Sequence, residues 1–360
     1  MGRVELKNLS KTFSPDIRAV ENVDLVIEEG EFVTLLGPSG CGKTTSLRLI
    51  AGFEEPSSGQ ILINGQDVTA FPPYQRNTGM VFQSLALFPH MDVFGNIAYG
   101  MRIRRLSKIE ICNKVDELLQ LVRLQGMEKR KVEQLSGGQR QRVAFARALA
   151  MNPSVFLLDE PFAALDKNLR EEMQIELRRL QKRIQITTIF VTHNQREAMS
   201  MSDRIVVMDQ GRIQQVGSPR EIYINPVSSF VANFIGTTNL IQASVQAVGQ
   251  GEIQLMTSDG LVSVAGADVD MTEGQECIIS IRPESVRLTV EIDKSRENAF
   301  LGKVSFKRHV GELIEYYINT RAGQEIIASY QTGRQEFFEG DTVQVILDRE
   351  AYRLLSKDYR

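Results

Sequence analysis

The chain has 360 residues, 42% hydrophobic and 24% charged, enough to bury a sizeable core and to divide into two or three domains of ordinary size. Its 42 Lys and Arg against 45 Asp and Glu leave a net charge of −3, which excludes a strongly basic nucleic-acid binder and a highly charged disordered chain. Three scattered cysteines without a C-x-x-C pair exclude a secreted disulfide framework, and three histidines argue against a His-rich metal site. No run approaches the roughly 18 apolar residues of a membrane span. The opening Met1–Leu6 lacks the apolar core of a signal peptide, so the expectation is a soluble chain in a reducing compartment that meets a membrane only through a partner.

Short apolar runs alternate with amphipathic stretches along the first two thirds. Phe32-Val33-Thr34-Leu35-Leu36 reads as a buried parallel strand running into a Gly-rich turn. Ser107-Lys108-Ile109-Glu110 reads as a capping box opening a helix. Val155–Leu158 and Thr188–Val191 repeat the buried-strand character. Between them Leu169, Met173, Leu177, Leu180 and Ile184 recur at steps of three and four, one face of a helix. Ser218-Pro219-Arg220-Glu221 is a further capping box, with proline where its missing N–H costs nothing. This alternation predicts an α/β layer structure with a largely parallel sheet. From about Gly236 glycines punctuate short alternating segments such as Cys277–Ile281 and Val304–Phe306, which predicts a small β-barrel or sandwich. The expected domains are 1–235 and 236–360.

Three segments carry chemistry. Gly37-Pro38-Ser39-Gly40-Cys41-Gly42-Lys43-Thr44-Thr45 fits G-x-x-x-x-G-K-[ST] and falls between a buried strand and a helix. Its backbone N–H groups can curl around a phosphate, Lys43 supplies a point charge for the β- and γ-phosphates, and the Thr44 hydroxyl can ligate Mg²⁺. The strand ending in Asp159-Glu160 offers one carboxylate to hold Mg²⁺ through water and a second to polarise the attacking water. Leu135-Ser136-Gly137-Gly138-Gln139 opens another helix with a hydroxyl and two glycines, a second anion-binding N-terminus. One chain thus carries two phosphate cradles but one lysine-bearing loop. The simplest account is that Ser136, Gly137, Gly138 and Gln139 complete the site of a second copy, with two ATP molecules at a two-fold interface.

Together these segments resemble the ATP-binding subunit of an ABC transporter, over residues 1 to about 235. The resemblance implies a P-loop domain with a mixed, largely parallel sheet and a helical subdomain at about 88–150. It also implies roles for four more residues. Gln83, in Val81-Phe82-Gln83, resembles the family's glutamine loop, which reaches Mg²⁺ and the attacking water. Asp166, in Ala164-Leu165-Asp166, resembles the D-loop that crosses the dimer interface. His193, in Val191-Thr192-His193, resembles the switch histidine at the γ-phosphate. Phe13 resembles the aromatic that stacks on adenine. Without the family, Phe13 reads as core, and His193 at a strand end reads equally as a structural or a functional histidine.

Ile281-Arg282-Pro283-Glu284-Ser285-Val286 in the last third resembles the transport-associated OB-like domain of importer ATPases. The segment Leu85-Ala86-Leu87-Phe88-Pro89-His90-Met91 resembles the polyamine and ferric-iron branches; Phe88 and Met91 suit either a groove for a helix of the membrane partner or ordinary core. The implied function is ATP hydrolysis driving solute import, by a pair of chains on permease subunits at the cytoplasmic face of the membrane. A periplasmic or extracellular solute-binding protein takes part indirectly, and no nucleic acid is involved. A polyamine is favoured as solute over ferric iron, sugar, phosphonate or osmoprotectant. The competing class, a soluble ABC ATPase without a permease, would carry a long coiled coil or a second cassette, and this sequence has neither. Cys41, inside the phosphate loop at a helix start, is expected to have a depressed pKa and to be alkylated with loss of activity; Cys112 and Cys277 are expected to be packing residues.

Overall fold

The computed structural model describes residues 2–249, 251–265, 271–293, 295–333 and 336–356. The chain divides into two compact units, Met1–Arg220 and Glu221–Arg360.

The first unit opens with an antiparallel sheet, order β2-β1-β4-β5, made of β1 (Val4–Ser14), β2 (Ile17–Ile27), β4 (Ser58–Ile63) and β5 (Gln66–Asp67). The chain enters the main sheet at β3 (Phe32–Leu36), turns into α1 (Lys43–Ala51) before β4, and returns at β6 (Thr78–Val81). The helical layer follows: α2 (Val93–Ile103), α3 (Lys108–Leu121) and α4 (Gly137–Leu149). Then come β7 (Val155–Asp159), α5 (Lys167–Ile184), β8 (Thr187–Thr192), α6 (Gln195–Met201), β9 (Arg204–Asp209) and β10 (Arg212–Gly217). The main sheet runs β10-β9-β3-β8-β7-β6, with every pair parallel except the β10 edge.

The apolar runs are continuous because both faces of this sheet are covered. Phe32, Phe156, Leu158 and Phe190 face a core shared with α2–α5, whereas Val33, Leu35, Val155, Leu157, Ile189 and Val191 face one shared with α1 and the antiparallel sheet. Helices α1 and α4, whose first turns are the two expected phosphate cradles, therefore lie on opposite faces of one sheet. The predicted capping box forms at the start of α3, where Ser107 Oγ accepts from the Glu110 N–H and Glu110 reaches back to the Ser107 N–H. On α5, Met173 and Leu177 are buried, with Leu169, Leu180 and Ile184 packed beside them, as the spacing predicts.

Helix α7 (Pro219–Ile224) spans the boundary between the units and leads, in the second, to α8 (Ser229–Ile235). The carbonyls of Ala232, Gly236 and Thr237 at the end of α8 accept from Arg282, which also stacks on Tyr223 with 4.2 Å between guanidinium and ring centre. Residues 221–235, placed with the first domain by the sequence, thus pack with the second unit.

Two five-stranded antiparallel sheets follow. One has the order β13-β12-β11-β14-β20, from β11 (Asn239–Val248), β12 (Glu252–Thr257), β13 (Gly260–Ala265), β14 (Glu276–Ile281) and β20 (Tyr352–Ser356). The other is β15-β19-β16-β17-β18, from β15 (Val286–Thr289), β16 (Ala299–Val310), β17 (Leu313–Thr320), β18 (Glu325–Gln331) and β19 (Thr342–Leu347). Alternate residues of both sheets enter one core, centred on Tyr316 edge-on to Phe337 and Tyr330. Cys277 is buried in that core as expected; Cys112 is exposed, because its position on α3 points away from the packed face, and the packing expectation fails there. No helix among the described residues is long and apolar enough to cross a membrane.

Candidate functional site

Parallel strands end at a common edge, and the predicted site residues hang from it. Leu36 pairs with Thr192, Asp159 with Val191, and Val81 with Leu158, so Gly37, Gln83, Asp159, Glu160 and His193 all leave the sheet on one side.

The phosphate loop runs from Gly37 to the first turn of α1. Ser39 and Gly40 form its exposed crest, Pro38, Thr44 and Thr45 are half-buried, and Gly37, Cys41, Gly42 and Lys43 are buried. Gly42 has φ 103°, and a Cβ there would lie 2.1 Å from the Ala19 carbonyl oxygen of β2. The loop is pinned from outside as well, since Gly211 donates its N–H to the Cys41 carbonyl. Lys43 Nζ folds back over the loop and donates to the carbonyls of Gly37 (2.7 Å) and Pro38 (2.8 Å). Burial pushes the Cys41 thiol up, and this outweighs the nearby Lys43 ammonium. The expected depression of its pKa is therefore wrong: the helix start does not compensate for a thiol withdrawn from water.

Thr44 Oγ1 donates to Asp159 Oδ1 at 3.1 Å, which joins the loop to the end of β7. Burial raises the Asp159 carboxyl, opposed by that hydrogen bond and by Arg48. Glu160 sits at φ 43°, a left-handed backbone for a residue with a side chain, and its N–H donates to the Val191 carbonyl at 3.0 Å. The turn aims its carboxylate at His193, whose Nδ1 lies 3.1 Å from Glu160 Oε2. His193 is exposed, so it is not a core histidine. The hydroxyl of Thr44, the carboxylate of Asp159 and the carboxamide of Gln83 are hard oxygen donors, the chemistry Mg²⁺ takes beside phosphates.

Gln83 is exposed just past β6. Beyond it Leu85 (φ 58°) and Ala86 (φ 48°) make a turn of two left-handed residues, held by Arg147 of α4, which donates to both carbonyls. Phe88 is half-buried, 4.5 Å from the Tyr99 ring and under the Arg147 guanidinium. Met91 is likewise half-buried, so neither is plain core.

The second cradle is a capping box: Ser136 Oγ accepts from the Gln139 N–H, and Gln139 Oε1 from the Ser136 N–H. Ser136 is exposed, and a Cβ on Gly137 would lie 3.3 Å from Leu165, so this turn sits against the segment carrying Asp166. Asp166 is itself exposed and caps α5 through the Leu169 N–H. Phe13 stands exposed on the β1–β2 hairpin with Lys11 Nζ 4.9 Å from its ring centre, which removes the core reading. Sequence reasoning missed Arg170, Thr192 and Glu197, buried or half-buried polar groups directly behind His193. The Asn194…Glu197 spacing at the start of α6 was the available signal.

Residues 20–163 match the ABC transporter family and residues 279–355 the TOBE domain. The spermidine/putrescine import ATP-binding protein PotA of Pseudomonas aeruginosa is 47% identical over 347 residues, covering 95% of each chain. The protein of the same name from Trichormus variabilis is 46% identical over 325 residues, 90% of this chain and 85% of the relative. Among solved structures, an ATP-binding cassette captured as a dimer in a post-hydrolysis state with ADP and Pi is 34% identical, with TM-score 0.54, over 60% of this chain and 99% of that one. CbiO1 of Clostridium perfringens, part of an ABC transporter complex, is 31% identical, with TM-score 0.57, over 61% of this chain and 89% of its own. Family models that match both units, and relatives 45–47% identical along nearly the whole chain, lead to one conclusion: this chain is a member of the family of ABC transporter ATP-binding subunits that carry a C-terminal TOBE domain.

Proposed function

We propose that the chain hydrolyses ATP to drive uptake of a polyamine of the spermidine/putrescine type. It works as a pair of copies on membrane-embedded permease subunits at the cytoplasmic face, with an external solute-binding protein delivering the cargo. The observation that carries this reading is identity of 45–47% running through both units to relatives named for that import.

The geometry supports a role for each residue. Lys43 and the backbone N–H groups of Ser39 to Thr45, in the loop that Pro38 helps shape, hold the phosphates, and Phe13 offers its exposed face to the adenine ring. Thr44, Asp159 and Gln83 would hold Mg²⁺, which supplies positive charge at the β- and γ-phosphates. Glu160, fixed by Val191 on its backbone and His193 on its side chain, accepts the proton of the attacking water. With Nδ1 committed to Glu160, His193 keeps Nε2 for the γ-phosphate. Ser136, Gly137, Gly138 and Gln139 of the second copy close the site: the Ser136–Gln139 capping box fixes the turn and leaves the Gly137 and Gly138 N–H groups to face the phosphate, and Asp166 lines the same interface.

The test is transport. The full chain, assembled in proteoliposomes with the multi-span proteins that co-purify with it, should accumulate labelled spermidine or putrescine only with ATP inside. Accumulation of ferric iron or a sugar in their place overturns the choice of solute. Failure to co-purify any multi-span protein overturns the import reading.

A further inference from the structure

A chain of polar groups behind His193 has no part in the roles assigned above. Thr192 and Glu197 are almost completely buried, and the Thr192 hydroxyl donates to Glu197 Oε2 at 2.5 Å. The same hydroxyl accepts from the Asn194 N–H at 3.0 Å, so it grips the backbone on both sides of His193. Asn194 caps α6, and Glu197 stands at the third helical position, where a glutamate ordinarily reaches back to the cap residue's N–H. Here that N–H is taken by Thr192, so Glu197 is not serving as the helix cap.

Its other oxygen, Oε1, lies 3.9 Å from Nε of Arg170 on α5. That is ion-pair range but too long for a hydrogen bond, and Arg170 Nε is buried with no hydrogen-bond partner. The other end of the same guanidinium donates to the Leu165 carbonyl at 2.8 Å. Leu165 precedes Asp166 and touches the glycine turn of the second cradle.

We infer that Arg170 and Glu197 are positioning residues that transmit the placement of the Leu165–Asp166 backbone to His193. A planar guanidinium fixed at one end to Leu165 moves its Nε with that backbone. A displacement of about 1 Å converts the 3.9 Å approach to Glu197 into a hydrogen bond or opens it further. Glu197 passes the change to the Thr192 hydroxyl, and Thr192 to the segment that carries the imidazole against Glu160. The inference rests on the proposed roles of Glu160 and His193. It adds that hydrolysis in one chain depends on where its own 164–166 segment is held, which in the paired arrangement is decided by the other copy.

The test uses the full-length chain with ATP and Mg²⁺. Glu197→Gln keeps the shape and the acceptor for Thr192 but removes the charge that faces Arg170. It should lower kcat about 10-fold, with KM for ATP within about two-fold and no loss of melting temperature. Arg170→Met should do the same, and the double variant should match the worse single one, since both remove one connection. The inference is overturned by a normal kcat in Glu197→Gln, by multiplying losses in the double variant, or by a KM that rises as kcat falls. Glu160→Gln, run alongside, separates two failures. Full-rate hydrolysis there removes the underlying roles and the relay with them, whereas an inactive Glu160→Gln beside a normal Glu197→Gln removes the relay alone.

Discussion

Gly42→Ala adds one methyl group at the tightest point of the phosphate loop. The new Cβ would sit 2.1 Å from the Ala19 carbonyl oxygen, where an ordinary contact is near 3.4 Å, so loop and β2 must part by about 1 Å. The backbone at φ 103° adds about 1–2 kcal/mol of strain for any side chain. Gly40 is the built-in control, with φ 83° but open space around its Cβ position, so Gly40→Ala carries the strain without the collision. With the loop amides as the proposed phosphate cradle, a shift of about 1 Å should weaken ATP binding on the order of 100-fold, about 3 kcal/mol. Gly40→Ala should lose no more than about 10-fold. Titration of both variants with a fluorescent ATP analogue, with thermal melts to check folding, reads the difference. If Gly42→Ala binds as tightly as Gly40→Ala, the contact with Ala19 is not what shapes the cradle.

Other expectations are as direct. Glu160→Gln should keep ATP binding and lose hydrolysis by at least about 100-fold, accumulating an ATP-bound dimer on gel filtration; normal turnover removes Glu160 from the base role. A thiol reagent at neutral pH should label exposed Cys112 and leave buried Cys41 unmodified with or without ATP, as read by peptide mass mapping. Preferential labelling of Cys41 would contradict its raised pKa. Tyr223 is pushed up to about 12, chiefly by burial and then by its hydrogen bond to Glu284. A raised pKa on a group that ionises to an anion gives stability that is complete below pH 10 and lost as pH rises toward 12. Alkaline melts should place this loss in the second unit, and Tyr223→Phe should flatten the slope in that window.

The strands and the phosphate loop are legible because each states its chemistry locally: Phe32–Leu36 is apolar throughout as a doubly covered strand must be, and Gly37–Thr45 has one competent reading. The capping box at Ser107–Glu110 is legible for the same reason. Pairings across the sheet are not. Nothing near Leu85 predicts that Arg147 holds its carbonyl, and nothing near Glu197 predicts that its carboxylate turns from the helix cap to Thr192. The error at Cys41 has the same root: a helix start is visible in sequence, but burial is a property of the packed chain. The packing of residues 221–235 depended likewise on Arg282, about fifty residues away.

The groups that one chain assigns to phosphate, Mg²⁺ and water follow the ends of four parallel strands, β3, β6, β7 and β8, so the main sheet works as a ruler for the chemistry. Phe190 of β8, wholly buried, packs between Phe32 of β3 and Phe162 just past β7, with ring centres 5.9 and 5.8 Å away. Turnover in such a molecule can be tuned from its interior: a Phe190 substitution that shifts β8 against β7 would change the gap between Glu160 and His193 without touching either, so that core packing bears on catalytic rate.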